Sequence, residues 1–170
     1  LSLETLFPFL ALLWLMISLV PVFVIDFRYH LLPDTISIGG IIFGVAISFI
    51  PGNITPLQSI LGALIAGGGL YLFAKLIAKF LGKQAMGFGD VKLLAGYGAL
   101  MGAPLAFETL ILASFIGICI MFPARLVYAK AFGTESETTA GEFPFGPFLA
   151  LAAPIVFIYG NWILGLYLAM

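Results

Sequence analysis

Three aspartates, Asp26, Asp34 and Asp90, stand at the ends of apolar runs. A carboxylate in such a place is expensive to keep and calls for a reason. Two carboxyl groups held close together cannot easily both ionise, so they share a proton. The ionised one can take a proton from water while the protonated one polarises a carbonyl, which is what peptide hydrolysis needs. Each aspartate also has a plainer reading. Asp34 follows Pro33 and opens Thr35-Ile36-Ser37, so a helix cap suits it best. Asp90 precedes Val91-Lys92-Leu93-Leu94, where a helix start would also stabilise the anion. Asp26 precedes Phe27 and Arg28; it is a poor cap, and an interfacial pair with Arg28 is its simplest alternative. Gly87 and Gly89 flank Phe88, so the backbone there has the freedom to take unusual dihedrals and to let another chain approach closely.

Other chemistries have little to draw on. His30 is the only histidine and reads as a polar spacer in an interface loop; Cys119 is the only cysteine. Neither belongs to a cluster with metal-ligand spacing, so no metal and no cofactor are expected. A net charge of -1 gives no electrostatic case for nucleic acid.

The elements that must position these residues follow from composition. The 170 residues are 62% hydrophobic and 9% charged, with a mean hydropathy of +1.19. A soluble domain is usually about 25% charged. Lipid must therefore be the solvent for much of this surface, and the bilayer is the first partner expected. Six apolar segments predict an all-α, polytopic membrane protein: residues 6–25, 35–50, 57–81, 91–102, 105–127 and 145–168, a single embedded domain. The fourth is short, roughly 18 Å at 1.5 Å per residue, and cannot cross a core of about 30 Å unaided; an irregular wall of a wet cleft is its expected form. Pro51-Gly52-Asn53 turns the chain and Pro56 opens the third segment. Gly40 and Gly44, Gly98 and Gly102, and Gly67 to Gly69 are read as packing sites that let helices approach.

Orientation comes from the basic residues. With the N-terminus outside and the segments alternating, Arg28, Lys75, Lys79, Lys83, Lys92, Arg125 and Lys130 all fall near the inner side. This is the positive-inside pattern, and it brings Asp26, Asp34 and Asp90 to one membrane depth. Lys92 is read either as a binder of substrate carboxylate or phosphate headgroups or as a plain interfacial lysine. Glu135, Glu137 and Glu142 read as a solvated inner loop, and Glu108 as a residue tolerated in a helix start.

Three blocks resemble the signatures of type IV prepilin peptidases: Asp26 to Asp34; Gly87-Phe88-Gly89-Asp90-Val91-Lys92-Leu93-Leu94, which looks like the family's GxGD motif; and Phe143-Pro144-Phe145-Gly146-Pro147-Phe148-Leu149-Ala150 near the last segment. The archaeal preflagellin peptidases are similar. The resemblance covers essentially the whole chain. It implies a cytoplasmic-membrane aspartic endopeptidase that removes the basic leader from prepilins or pseudopilins. It also implies that Asp26 and Asp90 are the catalytic pair, with Gly87, Gly89, Lys92, Asp34, Pro144 and Gly146 in supporting or substrate-binding places. Longer bacterial members carry an insert with two CxxC pairs and also methylate the new N-terminus. This chain has one cysteine and no such insert, which puts methyltransferase activity in doubt for it: the activity either resides upstream of Leu1 or is absent.

Two other readings compete. A small proton-coupled transporter would use the same carboxylates as a relay, but would want one near mid-membrane. Presenilin-like proteases share GxGD, but their YD pair and PAL block are not found here. Neither the individual substrate nor an oligomeric state follows from the sequence.

Overall fold

The computed structural model describes residues 3–29, 33–51, 54–82, 87–132 and 145–168. Six helices account for nearly all of them: α1 (Leu3–Tyr29), α2 (Asp34–Ile47), α3 (Pro56–Leu81), α4 (Phe88–Met101), α5 (Ala103–Phe132) and α6 (Gly146–Leu168). No strand occurs among the described residues, and the all-α expectation holds.

The outer surface is apolar. Ile17, Val20, Ile42, Leu57, Leu64, Leu72, Ile111, Phe115 and Ile118 are all exposed. Apolar surface on this scale is foreign to a soluble monomer and natural to a protein solvated by lipid. Among the described residues three stretches are long and apolar enough to cross a membrane: Leu6–Asp26, Pro56–Phe80 and Ala103–Pro123. α2 and α4 are shorter, at 14 residues each, or about 21 Å at 1.5 Å per residue.

Local chemistry sets the helix ends. Thr55 and Gln58 form a capping box: the Gln58 amide donates to Thr55 Oγ1 at 3.3 Å, and the Thr55 amide donates to Gln58 Oε1 at 2.9 Å. Pro56 follows at the first helical position, where its missing N–H costs nothing. The helix ends at Gly82, whose φ of 69° is left-handed. α4 ends at Gly102, with φ 84°, and α5 begins at the very next residue. Only glycine takes that conformation without strain, and Gly102 is also a packing residue as its GxxxG spacing suggested, since a Cβ at Gly62 would stand 3.0 Å from its Cα.

α4 is the centre of the bundle, contacting α2, α3, α5 and α6. Nearly every residue from Asp90 to Met101 is buried. Its neighbours come close because the residues between them are small. Gly40 lies against Gly96, with a hypothetical Cβ at 40 standing 3.7 Å from the Gly96 Cα; Gly44 lies against Ala99. On the other side Gly98 faces the Gly62 carbonyl, and Gly67 faces Ala95. Ser59 adds a hydrogen bond across the same seam, donating from Oγ to the Ala99 carbonyl at 2.7 Å. Such approaches supply van der Waals contact where lipid removes the hydrophobic force between helices. The packing role foreseen for Gly40, Gly44 and Gly98 is what the bundle uses; Gly62 is a partner the sequence did not single out. Gly69 meets the Phe107 ring, and Gly68 meets nothing within 4 Å.

These contacts also fix direction. α2 and α4 run parallel, because Gly40 pairs with Gly96 and Gly44 with Ala99. α3 runs antiparallel to α4, because Gly62 pairs with Gly98 and Gly67 with Ala95. α5 and α6 are antiparallel, with Gly117 against Phe148 and Gly160 against Leu105. The starts of α2, α4 and α6 therefore share one end of the bundle with the end of α3.

Candidate active site

Asp26 is the last residue of the apolar stretch of α1, and it is buried, with 5% of its surface exposed. Arg28, two residues on, is exposed. Residues two apart on a helix do not face each other, and burial rather than a surface charge pair is the setting of Asp26. Asp90 is in the first turn of α4 and is 6% exposed. The helix begins at Phe88, three residues earlier than the apolar pattern places it, and Gly87 occupies the N-cap position. Asp90 is thus an interior residue of the first turn and not a cap.

Both carboxylates are buried toward one end of the bundle. Asp90 lies outside the three stretches long enough to cross a membrane, and its carboxyl is held well above the ordinary carboxylate range. Burial is the larger cause, and the neighbouring Asp26 charge adds to it. Asp26 of α1 thus lies near enough to Asp90 of α4 for its charge to act on it. Farther along, Ser18 Oγ of α1 donates to the Leu15 carbonyl at 3.0 Å, and Tyr97 of α4 is buried. Trp14, Ser18, Ser37, Gly40, Gly96 and Tyr97 line the seam between α1, α2 and α4, which has no room for a water molecule. The carboxylates sit beyond its end.

Asp34 is not a cap. Pro33 holds the N-cap position of α2 and no side chain caps the helix. Asp34 instead accepts a hydrogen bond from Lys92 Nζ at 2.6 Å, an ion pair joining the first turns of α2 and α4. A pairing across 58 residues of chain leaves no local signal, which is why the cap reading looked better. Lys92 Nζ also lies 5.1 Å from the centre of the Phe88 ring. Phe88 in turn meets Tyr71 of α3 edge-on, with ring centroids 6.1 Å apart.

Gly87 does not use the freedom that glycine offers: its φ of -69° and ψ of 143° suit any residue. A Cβ there would stand 3.8 Å from Asp90 Oδ2, an ordinary van der Waals contact. Gly89 is half-buried in the first turn of α4. Gly146 is buried as the first residue of α6, at the same end as the aspartates. Pro144, His30, Lys83, Glu135, Glu137 and Glu142 lie outside the described residues. Among the described residues no group of three or more His, Cys, Asp or Glu is placed to hold a metal ion.

Residues 10–122 match the type IV leader peptidase family. The chain belongs to that family. It is 34% identical over 175 residues to a prepilin leader peptidase/N-methyltransferase of Legionella pneumophila, covering 98% of this chain and 56% of the relative. With the protein of the same name from Pseudomonas putida it shares 36% identity over 153 residues, covering 89% of this chain and 50% of that one. This leader peptidase family chain therefore spans about half the length of the curated relatives it matches. No solved structure matches it. The matched stretch contains Asp26, Asp34, Gly87, Asp90 and Lys92, and ends ahead of Gly146.

Proposed function

We propose that this chain is a membrane aspartic endopeptidase that cleaves the leader peptide from type IV prepilins or pseudopilins at the cytoplasmic face of the inner membrane. The observation that carries the reading is the burial of Asp26 and Asp90, drawn from separate helices to one end of the bundle, with the charge of one acting on the other. The names of the relatives supply the substrate class, and the concentration of basic residues toward that end supplies the orientation.

In this reading a water molecule lies between the two carboxyl groups. The ionised carboxylate takes a proton from it, and its oxygen attacks the scissile carbonyl carbon. The protonated carboxyl donates to the carbonyl oxygen as the tetrahedral intermediate forms. The C–N bond then breaks, and a proton held by the pair goes to the leaving amine. The elevation of Asp90 suits it to hold the shared proton, although the pair titrates as a unit. The substrate would bring its apolar helix in from lipid and present the cut site at the bundle end.

Asp26→Asn and Asp90→Asn should each lower the cleavage of a purified prepilin by about a thousandfold or more, while the protein still extracts as a folded, monodisperse species. Cleavage at the wild-type rate by either variant would overturn the dyad. A transporter remains the weaker reading, because a relay needs a carboxylate midway along the helices, whereas Asp26, Asp34 and Asp90 share one end. Proton uptake into proteoliposomes that survived both substitutions would favour it.

A further inference from the structure

The first turn of α4 carries Asp90, yet little in its own backbone secures it. Gly87 caps it without a side-chain hydrogen bond, and two of the first residues around Asp90 are glycines, which favour helix poorly. The initial amides of any helix lack intrahelical partners. What holds this turn is a relay of side chains. Asp34 of α2 binds Lys92 at 2.6 Å, the Lys92 ammonium lies over the Phe88 ring, and Phe88 meets the Tyr71 ring of α3. Lys75 Nζ lies 5.8 Å from the centre of the Tyr71 ring and ends the series. The turn is thus gripped from α2 on one side and from α3 on the other, while Asp26 approaches from α1.

We infer that Asp34 and Lys92 are positioning residues: their ion pair, continued through Phe88 to Tyr71, clamps the first turn of α4 and sets where the Asp90 carboxyl lies relative to Asp26. The inference rests on the peptidase reading and deepens it. A cation beside a carboxyl would lower it, whereas Asp90 is raised, by burial first and by Asp26 second. The clamp therefore works by placement. Two carboxyls that must share one water tolerate little misplacement, and small displacements of a catalytic group are costly in rate.

The test is steady-state cleavage of a purified type IV prepilin by the full chain in lipid nanodiscs. Lys92→Gln and Asp34→Asn should each lower kcat about tenfold, with KM held within about twofold. The double variant should lose about tenfold as well, not a hundredfold, because the two residues act through one contact. Lys92→Arg, which keeps the cation, should recover most of kcat. Two results would overturn the clamp. One is wild-type kcat in both single variants. The other is a rise in KM for Lys92→Gln with a fall in KM for Asp34→Asn, which would make Lys92 a substrate-binding cation that Asp34 competes for. Asp26→Asn, run alongside, separates the two levels: if it still cleaves, the peptidase reading fails and the clamp with it. If it is dead while the clamp variants are fully active, only the clamp fails.

Discussion

From Gly96 to Met101, α4 is fastened to its neighbours through backbone contact; from Phe88 to Lys92 it is held by the tips of side chains. In the first region Gly98 faces the Gly62 carbonyl and Gly44 faces Ala99, with no side chain large enough to yield. In the second, an ion pair whose partners are 26% and 63% exposed joins two ring contacts. Exposed ion pairs contribute about 0–1 kcal/mol, and an exposed cation–π contact about 0.5–1 kcal/mol. Overfilling a tight helix seam costs about 1–3 kcal/mol or more. One helix thus combines a rigid stem with a first turn that a few weak contacts adjust. In the proposed function, a peptide must be admitted beside a buried aspartate, and that division would serve it.

The sharpest way to break the comparison is at the stem. Gly98→Leu would drive its side chain into the Gly62 carbonyl and the Ala66 side chain of α3. The expected outcome is loss of the folded protein, read as the absence of a monodisperse peak after extraction in mild detergent. Gly62→Leu should do the same from the other side. If either variant extracts normally and unfolds at the wild-type temperature, the stem is not the rigid part.

At the first turn the same kind of change should leave the fold alone. A Cβ at Gly87 would make only an ordinary van der Waals contact with Asp90 Oδ2, and the backbone dihedrals there suit any residue. Gly87→Ala should therefore fold and cleave with little change. Gly87→Val places a branched group beside the carboxylate, on the side where substrate would approach. It should raise KM about tenfold, which corresponds to about 1.4 kcal/mol, with the thermal midpoint unmoved. A Gly87→Val protein that fails to fold would mean that the first turn is as tightly built as the stem.

The sequence made much of this legible and left a definite remainder. Continuous apolar runs and their lengths placed six helices, and the basic residues brought Asp26, Asp34 and Asp90 to one depth, because both signals are local to each segment. Gly40, Gly44 and Gly98 were readable as packing sites because their neighbours on the same helix repeat the spacing. Gly62 was not, since its importance lies in the residue opposite it on α4. The Asp34–Lys92 pair was hidden for the same reason: neither residue signals the other, and a polar residue just after Pro33 looks like a cap. Gly87 misled in another way. Of the two uses read for it, unusual dihedrals and close approach, the first goes unused, since its backbone suits any residue, and its nearest neighbour is Asp90 Oδ2, 3.8 Å from where a Cβ would stand.

The smallest expected effect lies where the two regions meet. Asp90 belongs to the adjustable turn but is buried like the stem, at 6% exposure. Burial is the larger cause of its raised carboxyl and the Asp26 charge the smaller. Asp26→Asn removes a negative neighbour, which makes ionisation of Asp90 easier and so moves its titration to lower pH. Because burial persists, the shift should be partial, and Asp90 should still titrate above the ordinary carboxylate range of about 4. The protonated-carboxyl infrared band, followed against pH in Asp26→Asn and in the Asp26→Asn, Asp90→Asn double variant, isolates the Asp90 contribution. A partial downward shift would put Asp90 with the stem in its dryness and with the turn in its placement. A full return to the ordinary value would mean that charge and not burial sets its proton, that water already reaches the first turn of α4, and that the boundary between the two regions lies deeper, beyond Asp90.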